Sequence, residues 1–161
     1  HHTVLHGKPP VKGTPFPMHQ DYPFYPHDGP NFVDCLIHLD ETPFESGCLQ
    51  VVPGSHKDGP IEHITGDHTR PYLPTELYHP DKVETLPIPA QPGDVIFFSY
   101  YLIHWSNVNR TDQWRKSVRI GYHDPEIRPV GKDPSEHNNN IIVSGSKPRA
   151  QEEKLTYGVV K

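Results

Sequence analysis

The run Met18-His19-Gln20-Asp21 sets an imidazole and a carboxylate two positions apart. On a β-strand, positions i and i+2 leave the same face, so adjacent rungs can offer both groups to one ion. A second imidazole, His104, follows the apolar run Phe97-Phe98-Ser99-Tyr100-Tyr101-Leu102-Ile103 and is expected at the end of that strand. Two histidines and one carboxylate on one side of a metal form the facial triad of non-haem Fe(II) oxygenases, with the opposite positions open. Two open positions can take a chelating 2-oxo acid, and the third is left for O₂. A structural zinc site closes its sphere instead, commonly with thiolates. Taken singly, His19 and Asp21 read as a strand-end hydrogen-bonding pair and His104 as a half-buried imidazole. The chain holds 13 histidines, so spacing rather than abundance has to select among them. His38, His63, His68, His79, His123 and His137 read as ordinary polar residues, and His56 as part of a turn.

The elements that must position these groups are short strands. In Phe32–Asp40, Val33, Cys35, Ile37 and Leu39 alternate with Phe32, Asp34, Leu36 and His38, a period of two. Further strands are predicted at Cys48–Val52, Asp94–Tyr101 and Ser117–His123, with shorter ones at His2–His6, Pro17–Asp21 and Val83–Leu86. Twenty prolines argue against long helices, because an interior proline removes a hydrogen bond and clashes with the preceding turn. Short strands between Gly/Pro turns point to an all-β sandwich or barrel. Residues 56–82 read as an insertion or lid, and the polar stretch 125–161, with Asn138-Asn139-Asn140 and the charged patch Gln151–Lys154, as a docked or disordered extension.

With these blocks in order, the chain resembles the phytanoyl-CoA dioxygenase family of 2-oxoglutarate-dependent oxygenases. The likeness rests on Lys8-Pro9-Pro10, His19-Gln20-Asp21, Gly47-Cys48-Leu49, Pro53-Gly54-Ser55-His56-Lys57, Gly93-Asp94, Ile103-His104 and Arg115-Lys116. It implies a double-stranded β-helix, or jelly roll, over residues 1–124, with few helices and long loops. It implies Fe(II) on His19, Asp21 and His104, with 2-oxoglutarate as co-substrate and O₂ as oxidant. Arg115, eleven positions beyond His104, matches the arginine that pairs with the far carboxylate of 2-oxoglutarate. A planar guanidinium grips a carboxylate through two parallel bonds, which lysine does less well. Arg119 lies on the same predicted face and ranks second for that role. Ser117 shares the face with Arg115, and Ser106 and Gln20 match positions that touch the co-substrate in the family. One departure is Trp105, where the family often shows glycine. Asp21 favours hydroxylation over halogenation, since halogenases of this class put a small residue at the carboxylate position. Tyr22, Phe24 and Tyr25, directly after the ligands, either line the mouth of a pocket for a small organic substrate or pack between loops.

Composition narrows the alternatives. The net charge is −5 with scattered basic residues, which gives no stripe for nucleic acid. No apolar run approaches the roughly 20 residues of a membrane-spanning helix. Cys35 and Cys48 make no disulfide framework; if residues 32–39 and 47–52 form a hairpin, Cys35 faces Val51 and Cys48 faces His38. Free thiols suggest a reducing, cytoplasmic compartment. The sequence begins at His1 and its one methionine is Met18, so a piece of a longer protein is expected. The closest rival is a cupin metalloenzyme working without 2-oxoglutarate, since Gly93 to His104 has a cupin-like separation, although His-x-Asp replaces the usual His-x-His. A non-catalytic jelly-roll binding module ranks third.

Overall fold

The computed structural model describes residues 2–65, 70–131 and 142–145. Eight strands follow in chain order: β1 (His2–Lys8), β2 (Phe16–His19), β3 (Phe32–His38), β4 (Leu49–Val51), β5 (Leu86–Ile88), β6 (Val95–Ser99), β7 (His104–Ser106) and β8 (Arg115–His123). They form two antiparallel four-stranded sheets, β1-β8-β3-β6 and β2-β7-β4-β5, the strand order of a jelly roll. Short 3₁₀ turns at Tyr22–Phe24, Phe44–Ser46 and Ser55–Asp58 are the helical elements among the described residues.

Alternation in the first sheet decides what faces the barrel. On β3, Phe32, Asp34, Leu36 and His38 are all buried and point inward. On β8, Arg115, Ser117, Arg119 and Gly121 occupy the inward positions, opposite Lys8, His6, Val4 and His2 of β1. Polar groups thus occupy much of the interior face, while Val118 and Ile120 look outward. The sheets are joined by Leu36, Leu49 and Phe98, one apolar cluster drawn from β3, β4 and β6. A second cluster, Tyr25, Phe32, Tyr100 and Tyr101, closes one end.

Four expectations change. Residues 32–39 and 47–52 do not form a hairpin: β3 pairs with β6 and β8, whereas β4 pairs with β5 and β7. The chain crosses between sheets through the Phe44–Ser46 turn and Gly47, which takes a φ of 74°. A Cβ at Gly47 would collide with the Asn107 carbonyl oxygen, so glycine is required there sterically as well as conformationally. His104 does not end the Val95–Ser99 strand. The chain reverses after Ser99, with the Leu102 amide bonded to the Ser99 carbonyl at 2.9 Å, and His104 opens a strand of its own in the other sheet. The predicted Pro17–Asp21 strand stops at His19, and the one predicted at Val83–Leu86 lies later, at Leu86–Ile88.

The segment expected as a lid is docked. Leu73 is 1% exposed and packs with Met18 and Ile103, joined by Ile61, Tyr78 and Val83. Burying one such leucine contributes roughly 2 kcal/mol, enough to favour a fixed position. His68 falls outside the described residues. Residues 125–131 dock on the loop after Tyr25, through a bridge between His27 and Pro129 and a bond from the Val130 amide to the Pro26 carbonyl. Asn138-Asn139-Asn140, His137 and Gln151–Lys154 lie outside the described residues.

Candidate metal and co-substrate site

His19 and His104 face each other directly across the β2–β7 ladder, and β2 carries an irregularity between Phe16 and His19. Phe16 pairs with Ser106 while His19 pairs with His104, so β2 spends one more residue than β7 over the same stretch. That bulge turns the imidazole of His19 to the interior beside that of His104, with ring centres 4.2 Å apart. Asp21 reaches the same place by a different device. It lies past the strand end in a right-handed helical conformation, at φ −77° and ψ −20°. Its amide and that of Tyr22 both bond to the Tyr100 carbonyl, at 3.0 and 3.1 Å. The three side chains are buried, and one ligand atom from each lies within 4.8 Å of the others.

The imidazoles are also oriented. Nδ1 of His19 is 2.7 Å from the Pro17 carbonyl oxygen, and Nδ1 of His104 is 2.9 Å from that of Leu102. A carbonyl only accepts, so each Nδ1 carries the proton and each Nε2 keeps its lone pair. Both Nε2 atoms face Asp21, at 3.7 Å for His19 and 3.8 Å for His104. Fixing the distal nitrogen to a carbonyl is the usual outer-shell arrangement of a metal-binding histidine.

Burial, with help from neighbouring His104, pushes the His19 imidazole down to about 3, so it stays neutral and able to coordinate. Burial pushes the Asp21 carboxyl up, but the combined pull of His104, Arg119 and His19 outweighs it and holds the group ionised. Asp34, buried behind the site and close to Asp21, is pushed up to about 8 by burial first and by the Asp21 charge second.

The ligands open onto a cavity of about 630 Å³, counting the part open to solvent. Leu36, Leu49 and Phe98 form its apolar floor, and Arg115, Ser117, Arg119 and Ser106 supply polar atoms. Arg115 is 6% exposed and has no carboxylate partner among the described residues. Its Nε and the Ser117 hydroxyl are buried without a hydrogen-bond partner among them. Burial pushes the Arg115 guanidinium down from its ordinary value. An unmatched buried cation beside an unmatched hydroxyl is costly, and it fits a cavity built to receive an anion.

The other predicted residues divide. Phe24 lines the cavity, edge-on to His19 at 5.8 Å. Tyr22 and Tyr25 instead join the aromatic cluster with Tyr100, and the Tyr25 hydroxyl donates to Asp34 at 2.8 Å. Gln20 is fully buried but is not brought to the cavity. Its amide nitrogen donates to the Gly59 and Tyr101 carbonyls, and its oxygen accepts from the Ile61 amide at 2.8 Å. Trp105 packs with Met18, Leu73 and Ile103 while also contributing to the cavity wall. Sequence reasoning passed over His6, Phe16 and Arg70, which also line the cavity. His6 was discoverable only by knowing that β1 pairs with β8, a partner more than 110 positions away. Arg70 stands over the Phe16 ring at 4.6 Å, and its surroundings in the sequence carry no pattern that points there.

A family model described as phytanoyl-CoA dioxygenase (PhyH) matches residues 1–117. The peroxisomal phytanoyl-CoA dioxygenase of Rattus norvegicus is 33% identical over 150 residues, covering 85% of this chain and 43% of that protein. A probable alpha-ketoglutarate-dependent hypophosphite dioxygenase of Stutzerimonas stutzeri is 31% identical over 166 residues, or 97% of this chain and 57% of that one. This chain therefore spans about half the length of the curated relatives it matches. Among solved structures, the epimerase SnoN in complex with Fe3+, alpha ketoglutarate and nogalamycin RO is 26% identical, with a TM-score of 0.61 over 81% of this chain and 51% of that one. A match to the family model across most of the jelly roll, on a chain whose two histidines and aspartate converge inside it, makes this protein a member of the phytanoyl-CoA dioxygenase family.

Proposed function

We propose that the chain is the core of an Fe(II)- and 2-oxoglutarate-dependent dioxygenase that hydroxylates a small organic molecule, with release of succinate and CO₂. The observation that carries this reading is the convergence of His19, Asp21 and His104 within 4.8 Å, next to a buried arginine that lacks a carboxylate partner among the described residues. Among similar proteins, by their names, one acts on phytanoyl-CoA and another on hypophosphite, and a third is an epimerase holding Fe3+ and alpha ketoglutarate. Dependence on 2-oxoglutarate and a small-molecule substrate are what we extend to this chain.

Each residue has a stated task. His19 Nε2, His104 Nε2 and the Asp21 carboxylate hold the metal on one face, and a neutral His19 needs no deprotonation before it binds. When bound, the Fe(II) centre with 2-oxoglutarate and O₂ supplies the oxidising power that places a hydroxyl on a substrate C–H bond. Arg115 takes the far carboxylate of the co-substrate, and the Ser117 hydroxyl beside it donates to the same group. Ser106, one rung from His104 on the same face of β7, offers a further polar contact. Leu36, Leu49 and Phe98 keep water from the floor, which strengthens these charge contacts. Phe24 borders the ligands on the substrate side. Arg115 is preferred to Arg119 because Arg119 is already committed to Asp21, with Nη1 2.5 Å from Oδ2. Among the described residues no helix is long and apolar enough to cross a membrane. Two buried free cysteines support a reducing, cytoplasmic location.

The test is an anaerobic visible spectrum of the protein with Fe(II) and then 2-oxoglutarate. A weak charge-transfer band that needs both additions, vanishes in His19→Ala and His104→Ala, and weakens in Arg115→Ala is the expected result. Tight Fe(II) binding with no such band would remove 2-oxoglutarate from the reading, and no metal binding would remove the enzyme altogether.

A further inference from the structure

Arg119 sits between two buried carboxyl groups, Asp21 and Asp34, that come from different elements. It leaves the inward face of β8 between Leu36 of β3 and Val4 of β1, and its side chain is 14% exposed. Nη1 lies 2.5 Å from Asp21 Oδ2, and Nε lies 3.8 Å from Asp34 Oδ1. The guanidinium also stands 5.6 Å from the centre of the Tyr25 ring, and the Tyr25 hydroxyl holds the second oxygen of Asp34 at 2.8 Å. Behind it the guanidinium meets Asp34 at ion-pair distance and an aromatic face, with no hydrogen bond to Nε among the described residues. In front, the two oxygens of Asp21 are inequivalent: Oδ1 faces His19, while Oδ2 faces His104 and carries the arginine.

A carboxylate can bind a metal through one oxygen or both. With a guanidinium on Oδ2, one lone pair of that oxygen is taken up and its charge is partly neutralised, so Oδ1 is the stronger donor toward the ion. We propose that Arg119 is the positioning residue of the Asp21 carboxylate, holding Oδ2 so that the ligand occupies one metal position instead of two. This rests on the metal reading above and adds to it a reason why an open coordination position is preserved. Arg119 touches neither reacting atom nor co-substrate in this role; it acts through Asp21.

The test uses Co(II) alone as an anaerobic probe of the intact protein, read by visible absorption and by binding affinity, with circular dichroism to confirm folding. The variants are Arg119→Lys, which keeps the charge but loses the planar fork, and the pair Arg119→Met with Asp34→Asn, which removes the cation together with the polar partner behind it. Outer-shell partners of metal ligands typically alter affinity about 10- to 100-fold. The expected result is a changed Co(II) band in both variants, affinity lowered at least about ten-fold in the double variant, and a smaller loss in Arg119→Lys. Wild-type band and affinity in a folded Arg119→Lys protein would overturn the proposal, whether or not the double variant folds. Absence of Co(II) binding by the wild type would overturn the metal reading and this one together, a pattern distinct from loss in the variants alone.

Discussion

Arg115 and Gln20 are buried and Arg119 is largely covered, and the structure gives each a different employment. Arg115 faces the cavity with no carboxylate partner among the described residues, so its replacement should act on co-substrate affinity. Arg115→Lys is expected to weaken 2-oxoglutarate binding about ten-fold, or about 1.4 kcal/mol, because a point charge replaces a bidentate grip. An anaerobic titration of the charge-transfer band measures it. Gln20 should behave in the opposite way. Its amide ties Gly59, Ile61 and Tyr101 together, so Gln20→Ala leaves the Ile61 amide unmatched. That is expected to cost about 1–3 kcal/mol in urea unfolding, with co-substrate affinity unchanged. The convergence of His19, Asp21 and His104 was legible in the sequence, because His-x-Asp and a distant histidine leave few ways to build a three-residue face. The direction of the Gln20 side chain was not, since it depends on a loop some forty residues downstream.

At the scale of the elements, periodicity marked the strands but not their inner faces. β8 alternates Arg115, Ser117 and Arg119 with Lys116, Val118 and Ile120, and it is the more polar set that turns inward. A rule that sends apolar residues to the core would invert this strand; the interior is polar because it holds charge and chemistry. The extra strand β7 was hidden for a related reason. It has only three residues, and the apolar run before it continues smoothly through the reversal at Tyr100–Leu102. The bulge in β2 left no mark either, though it is what brings His19 opposite His104. Crossing points between the sheets impose stricter demands. Gly47 and Gly93 both hold positive φ, 74° and 92°, but a Cβ at Gly47 meets the Asn107 carbonyl and one at Gly93 meets nothing within 4 Å. Gly93→Ala should therefore cost about 1–2 kcal/mol, the left-handed penalty alone. Gly47→Ala should cost clearly more and also weaken metal binding, because Asn107 follows directly on the β7 strand that carries His104. Urea unfolding of the two variants, with Co(II) titration of each, separates these outcomes.

For the whole molecule, burial of titratable groups around the cavity sets how the metal-free protein responds to pH. His6 is pushed down to about 4 by burial and then by Arg119. Between about 4 and its unfolded value near 6.5, the unfolded chain takes up a proton there that the folded protein refuses. The contribution of His6 to stability therefore falls as pH drops through that window, and His19, pushed down to about 3, adds to the loss. Asp34, pushed up to about 8, acts in the opposite sense, as the folded protein takes up its proton first. Lys8 creates a second window on the alkaline side. Burial, and then Arg115, push its ammonium down to about 7, so the unfolded chain holds the extra proton from about 7 up to the ordinary lysine value near 10.4. Stability should rise with pH across that range, and Lys8→Met should abolish that part of the slope in urea titrations. Metal should offset the acid loss, since a ligand at about a hundred times its dissociation constant adds about 2.7 kcal/mol. The pairing of the first strand with the last has a consequence in time. β1 joins β8 across all seven positions from His2 to Lys8, and such distant contacts close slowly because a long loop must be ordered first. On a ribosome, His19 and Asp21 emerge before β3 to β8, so they have no Arg115 or Arg119 until the eighth strand has been made. On the function proposed above, metal capture would then come late in folding, when the strand proposed to anchor the co-substrate also closes the first sheet.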